Sequence, residues 1–161
     1  MLGPPPPVRY HIFLLVTETG ESAKVASAKI AYITMSARPQ VFIVAVVDDD
    51  ESILQSLEYL LESADYAVRT FASAGALLES GDLPQIDCLI SDVDMPGIDG
   101  FELVRLVHAA RAGLPVILIT GYPALKGLPP LGRTNPRVFT KPFQGHELLA
   151  AVSEALRNAS G

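Results

Sequence analysis

The sequence predicts an α/β fold: a doubly wound, five-stranded parallel sheet in the order 2-1-3-4-5, with helices on both faces. Three features of the chain point to it. From Val41 onward, short apolar runs of strand character alternate with stretches whose apolar residues recur at helical spacing. Strands joined by such crossovers lie parallel, and right-handed crossovers favour the doubly wound order. The apolar runs also end abruptly in residues able to do chemistry, at the strand ends where sheets of this class place their ligands.

The first strand is predicted over Val41 to Val47, closing in Asp48-Asp49-Asp50-Glu51. Ile53, Leu54, Leu57, Leu60 and Leu61 then follow a helical period behind an acidic, Ser-containing cap. Tyr66 to Phe71 reads as the second strand, and Ser73 caps a helix through Leu78 that stops near Gly81. Ile86 to Ser91 is the third strand, delivering Asp92 into the turn Asp94-Met95-Pro96-Gly97. A helix from about Phe101 to Ala112 should turn Leu103, Leu106, Val107 and Ala110 inward. Pro115 opens the fourth strand, Val116 to Thr120, and the fifth runs from Arg137 to Thr140, ending at Lys141-Pro142. The last helix spans about Gln144 to Arg157, with Leu148, Leu149, Val152, Ala155 and Leu156 inward.

With 161 residues, 49% of them apolar, the chain can bury the core of one ordinary domain plus an extension. Residues 1–34 read as that extension, disordered or foreign to the natural domain. Pro4 to Pro7 is a polyproline stretch, Thr17 to Lys29 is small and polar, and Met35 reads as a fresh start to a domain over 35–161. Tyr10 to Val16 retains the option of pairing as an edge strand. The charges at Glu18, Glu21 and Lys24 argue against a signal peptide. A net charge of −6, with no basic stripe, argues against direct nucleic-acid binding. No apolar run approaches the ~20 residues that span a bilayer. The single cysteine, Cys88, lies in a strand as a small core residue, cannot form a disulfide within the chain and fits a cytoplasmic setting. His11, His108 and His146 form no cluster and read as surface residues.

In the predicted strand order the first and third strands are neighbours, so Asp48, Asp49 and Asp92 meet at the switch point of the sheet. An acidic pair, a lone Asp, the Thr120 hydroxyl and Lys141, each at a strand end, suggest phosphoryl chemistry around a hard cation. Taken singly, each has a plainer role. Asp48 and Asp49 could merely start the first helix, as Asp50 and Glu51 do. Asp92 could cap its turn, Thr120 could be structural, Lys141 a solvated loop residue, and Asp94 and Asp99 ordinary loop residues.

The acidic pair, the run Asp92-Val93-Asp94-Met95-Pro96-Gly97-Ile98-Asp99-Gly100, the Thr after the fourth strand and Thr140-Lys141-Pro142-Phe143 resemble, in order, the receiver domain of two-component response regulators, especially the FixJ-like group. The resemblance covers roughly Val41 to Asn158. It implies a flavodoxin-like fold, Asp92 as phosphoacceptor, Asp48 and Asp49 as the acidic pair, Thr120 as the switch hydroxyl, Lys141 as the site lysine and a cis Lys141–Pro142 bond. It implies Mg²⁺, which lets a carboxylate approach a phosphoryl group of like charge. Asp49 and Asp92 would ligate it directly, Asp48 through water, and Asp94 through its backbone carbonyl. Without metal, repulsion among three carboxylates should raise at least one pKa.

The implied function is phosphorelay signalling. A sensor histidine kinase or phosphotransfer protein supplies the phosphoryl group, Asp92 takes it and slowly loses it to water, and no separate substrate is turned over. With nothing beyond the last helix, the reading is of a stand-alone receiver that docks on a downstream protein or drains phosphate from a relay. Two alternatives are weighed. A haloacid-dehalogenase-type phosphohydrolase would share Asp92, Asp94, Thr120 and Lys141, but Pro96 stands where Thr or Val is expected and the acidic pair precedes the lysine. A phosphorylation-independent interaction module would have lost Asp92, Thr120 or Lys141, and all three are present. Two departures from the family stand out. Val138 occupies the position of the usual switch aromatic, with Phe139 turned to the other face by strand alternation. The fourth helix should be degraded, because prolines and glycines interrupt Gly121 to Gly132, each interior Pro costing ~3 kcal/mol.

Overall fold

The computed structural model describes residues 40–122 and 136–159. The proposed extension over 1–34, the optional strand at 10–16 and residues 123–132 of the proline-broken stretch lie outside the described residues. Within them the elements run β1 (Ile43–Val47), α1 (Glu51–Glu62), β2 (Ala67–Phe71), α2 (Ala74–Ser80), β3 (Cys88–Asp92), α3 (Gly100–Ala110), β4 (Val116–Thr120), β5 (Arg137–Thr140) and α4 (Gly145–Ala159). The five strands form one sheet in the order β2-β1-β3-β4-β5. All four pairings are parallel.

The sheet is buried on both faces, which is why its central strands read as unbroken apolar runs. One face packs α1 and α4 against Val44, Val46, Ile90 and Ile119. The other packs α2 and α3 against Ala45, Val47, Leu89 and Leu118. Side chains at alternate positions of one strand thus serve two cores, and each fully buried aliphatic contributes about 1.5–3 kcal/mol.

Local chemistry sets the element ends. Asp50 is the N-cap of α1, its carboxylate accepting from the Ser52 and Ile53 amides, and Ser73 caps α2 through the Ala76 amide. Gly81 closes α2 at φ 76°, in the left-handed region that glycine adopts freely. Asp99, expected to be a plain loop residue, is the N-cap of α3 and accepts from the Glu102 amide at 2.8 Å. β3 starts at Cys88 rather than Ile86, because Leu83–Gln85 forms a single 3-10 turn and the Asp87 carboxylate takes the Ile43 amide at 2.8 Å.

The inward face of α3 differs from the expected one. Gly100, Leu103, Val104 and Val107 are buried, whereas Leu106 and Ala110 face outward. The helix begins at Gly100, packed on the end of β3, and that contact rotates the stripe towards Val104. His108 is half-buried rather than a surface residue, with Nε2 3.0 Å from the Leu114 carbonyl. Leu148, Val152 and Leu156 of α4 are buried as expected, with Leu149 and Ala155 partly so.

Candidate functional site

Three adjacent strands reach the carboxyl edge of the sheet with Asp48, Asp92 and Thr120, and all three side chains are buried. The same local device turns the chain at each of these ends. The Asp48 carboxylate accepts from the Asp50 amide at 2.9 Å, Asp92 from the Asp94 amide at 2.8 Å, and the Thr120 hydroxyl from the Tyr122 amide at 3.1 Å. Short polar side chains readily capture the amide two residues ahead, and here that capture orients each of them over the sheet edge. β5 supplies the fourth member. Its end is tied to β4 by the Lys141 amide, which donates to the Thr120 carbonyl at 2.8 Å. The Lys141–Pro142 peptide bond is cis.

Lys141 Nζ donates to Asp92 Oδ1 at 2.8 Å and lies 3.5 Å from Asp48 Oδ2. Both oxygens of Asp92 are therefore engaged, one by the ammonium and one by the Asp94 amide. Burial pushes the Asp48 carboxyl above its ordinary pKa, against the Asp50 amide and the Lys141 charge, which pull it down. Burial works against the Lys141 ammonium, but the hydrogen bond to Asp92 and the charges of Asp48 and Asp92 outweigh it and raise its pKa.

One carboxylate oxygen each from Asp48, Asp49 and Asp92 lies within 4.8 Å of the others. Asp49 is the exposed member, while Asp48 and Asp92 are buried. An all-oxygen, anionic donor set of this kind fits a hard divalent cation with room for water ligands. The Asp94 side chain is outside this trio. It is exposed, and its Oδ2 accepts from Thr120 Oγ1 at 3.2 Å.

The structure brings Asp48, Asp49, Asp92 and Lys141 together beside Thr120, and two further features of this edge go beyond what periodicity reports. The Thr120–Asp94 hydrogen bond joins residues 26 apart, and no periodicity reports such a pair. Gly100 is the second. A Cβ there would fall 2.4 Å from the Asp92 carbonyl oxygen and 2.8 Å from Val93 Cα, so only glycine lets α3 start against this strand end. The Asp99-Gly100 pair held that signal.

On the opposite face of β5, Phe139 is buried in the α1/α4 core and meets Phe143 edge-on, with ring centroids 5.9 Å apart. Val138 is partly exposed and pairs in register with Leu118, two residues before Thr120 and on the same face. No aromatic of β5 therefore shares the Thr120 face.

The model of the response regulator receiver domain family matches residues 44–153. The transcriptional regulatory protein FixJ of Bradyrhizobium diazoefficiens is 35% identical over 117 residues, 71% of this chain and 56% of that protein. The response regulator TodT of Pseudomonas putida is 33% identical over 121 residues, covering 73% of this chain and 52% of the relative. The chain thus spans about half the length of these curated relatives. Among solved structures, the response regulator StyR is similar at 34% identity and a TM-score of 0.67, over 73% of this chain and 60% of that one. The beryllofluoride-activated receiver domain of DrrB gives 28% identity and a TM-score of 0.65, over 73% and 99%. These likenesses do not favour a haloacid-dehalogenase-type phosphohydrolase. Among the described residues, no helix is long and apolar enough to cross a membrane.

Proposed function

Because this chain belongs to the response regulator receiver domain family of two-component phosphorelay signalling, we propose that Asp92 is its phosphoacceptor and that a histidine kinase or phosphotransfer protein is the donor. A carboxylate oxygen of Asp92 attacks the phosphorus of a phosphohistidine. A P–O bond forms, the P–N bond breaks, and the imidazole nitrogen keeps the electron pair and takes up a proton. Hydrolysis reverses the modification: water attacks phosphorus, the P–O bond to Asp92 breaks, and the carboxylate and inorganic phosphate separate. The chain thus performs chemistry on itself and turns over no separate substrate.

The observation that carries this reading is the meeting of Lys141 with Asp92 at 2.8 Å, beside two further carboxylates. Lys141 holds the acceptor carboxylate in place before transfer, and its ammonium then pairs with a phosphoryl oxygen. Thr120, buried at the neighbouring strand end, donates its hydroxyl proton to another phosphoryl oxygen. Asp48, Asp49, Asp92 and the Asp94 backbone carbonyl would hold Mg²⁺, which when bound offsets the negative charge that Asp92 and a phosphoryl group bring together. Asp48, buried with a raised pKa, gains a counter-charge by that binding. The output is docking on a downstream protein or removal of phosphate from a relay.

The test is intact-mass measurement after incubation with acetyl phosphate. One phosphoryl group should add only when Mg²⁺ is present, and Asp92→Asn should carry none. A full mass shift in Asp92→Asn would overturn the assignment.

A further inference from the structure

Thr120 Oγ1 has one proton, and in the resting protein that proton is committed. It points to Asp94 Oδ2 at 3.2 Å, while the oxygen accepts from the Tyr122 amide at 3.1 Å. The backbone amide of Asp94 holds the Asp92 carboxylate at 2.8 Å. Asp94 therefore touches both ends of the proposed switch, the acceptor through its main chain and the hydroxyl through its side chain.

We propose that Asp94 is a positioning residue that latches the Thr120 hydroxyl in the resting state and competes with the phosphoryl group for its proton. The inference rests on the reading of Asp92 as phosphoacceptor and Thr120 as its hydroxyl donor. A hydroxyl that must donate to a phosphoryl oxygen has to leave Asp94, so every phosphorylation breaks this bond. Asp94 is exposed, so water satisfies its freed carboxylate and the latch opens at modest cost. Thr120 is wholly buried, so its hydroxyl has no such alternative and holds whichever anion is offered. Donation to a carboxylate also polarises the hydroxyl oxygen and strengthens its grip on the Tyr122 amide. Moving the proton from Asp94 to a phosphoryl oxygen turns the hydroxyl that holds the Tyr122 amide, so Tyr122 registers the state of the site. It is a second route out of the pocket in a chain whose β5 offers Val138 on the Thr120 face.

Two arms test the latch. In protein without metal or donor, Asp94→Ala should move the Tyr122 amide resonance and speed its hydrogen exchange. In a Thr120→Val background the same substitution should leave that resonance in place. Equal shifts in both backgrounds would overturn the proposal. The second arm measures affinity for beryllofluoride, a phosphoryl mimic, in the presence of Mg²⁺. Asp94→Ala should tighten binding by about three- to tenfold, the scale of one hydrogen bond given up, and this gain should vanish when Thr120 is Val. Asp94→Asn keeps an acceptor and loses the charge, so it should lie nearer the wild type than Asp94→Ala does. A gain that persists without the Thr120 hydroxyl, with Asn equal to Ala, would mean that Asp94 acts only by charge repulsion, and the latch fails. Wild-type protein that takes no beryllofluoride would instead sink the functional reading, and the Tyr122 arm would still decide the latch.

Discussion

The Lys141 ammonium, carried by the end of β5, donates to Asp92 Oδ1 at 2.8 Å and stands 3.5 Å from Asp48 Oδ2, so one cation spans the ends of two neighbouring strands. Two buried carboxylates at adjacent strand ends repel each other, and this ammonium is the positive charge set between them.

Removing it should therefore cost stability that a metal can return. Lys141→Met is expected to lower the metal-free unfolding free energy by about 1 kcal/mol, since the lysine is partly exposed and its pairing is partly screened. Millimolar Mg²⁺ should narrow the gap, because a divalent cation in the carboxylate cluster replaces the lost charge. Urea unfolding of both proteins, with Mg²⁺ and with a chelator, reads this directly. An identical gap in the two conditions would mean that the lysine's role is packing.

The two members of the acidic pair differ in burial. Asp49 is exposed and close to Asp92, whereas Asp48 is buried and already bound to the Asp50 amide and Lys141. Asp49→Ala should weaken Mg²⁺ binding by more than Asp48→Ala and leave stability within about 0.5 kcal/mol. Asp48→Ala should change stability more, because it empties a buried position beside Lys141. Calorimetric Mg²⁺ titration with parallel unfolding curves checks both halves. A weaker Mg²⁺ site in Asp48→Ala than in Asp49→Ala would reverse the assignment within the pair.

Much of this arrangement can be read from the residues because each strand is an apolar run with a polar terminus. Val44 to Val47 ends in Asp48 and Leu89 to Ser91 in Asp92, so strand order alone brings the carboxylates together. Contacts that depend on rotation or on long separations cannot be read in that way. Leu106 and Val104 are both apolar, yet the buried stripe runs from Gly100, seated on the end of β3, through Leu103, Val104 and Val107 and leaves Leu106 outside. The Asp94 carboxylate has the composition of a metal ligand, yet its nearest partner is a hydroxyl from the next strand. His108 has no sequence signal for its contact with the Leu114 carbonyl, which depends on how the chain folds back after α3.

Cys88 opens β3 in the middle of the α1/α4 core and is fully buried. Burial, with a smaller contribution from the Asp87 charge, pushes its thiol from 9.0 up to about 12. Well below pH 9 the thiol is protonated in both folded and unfolded chains and contributes no pH dependence. Between about 9 and 12 the unfolded thiol ionises while the folded one stays protonated, so this group lowers stability as pH rises. At pH 8 a disulfide-exchange reagent should modify the native protein at least a hundredfold more slowly than the urea-unfolded chain, about the factor a 3 kcal/mol opening cost implies. Stopped reactions followed by mass measurement give the ratio. Equal rates would place Cys88 at the surface.

The two faces of β5 should differ sharply in what they tolerate. Phe139 lies in the α1/α4 core, edge-on to Phe143, and the Arg137 guanidinium carbon sits 5.4 Å from its ring centroid. Truncating such a ring removes its packing and leaves a cavity, so Phe139→Ala should cost about 3–4 kcal/mol. Val138 is 38% exposed on the Thr120 face, and Val138→Ala should cost less than about 1 kcal/mol. Urea unfolding midpoints of the two variants separate these values easily. The functional consequence follows from the same packing. A ring held between two helices and the sheet cannot swing towards Thr120 when the site is loaded, so the Phe139 ring resonances should stay put on adding Mg²⁺ and beryllofluoride. Val138→Tyr, by contrast, places an aromatic on the Thr120 face at little cost in stability, and its ring resonances should move under the same conditions. Movement of Phe139 in the wild type, or comparable costs at positions 138 and 139, would mean that β5 presents its other face to the site.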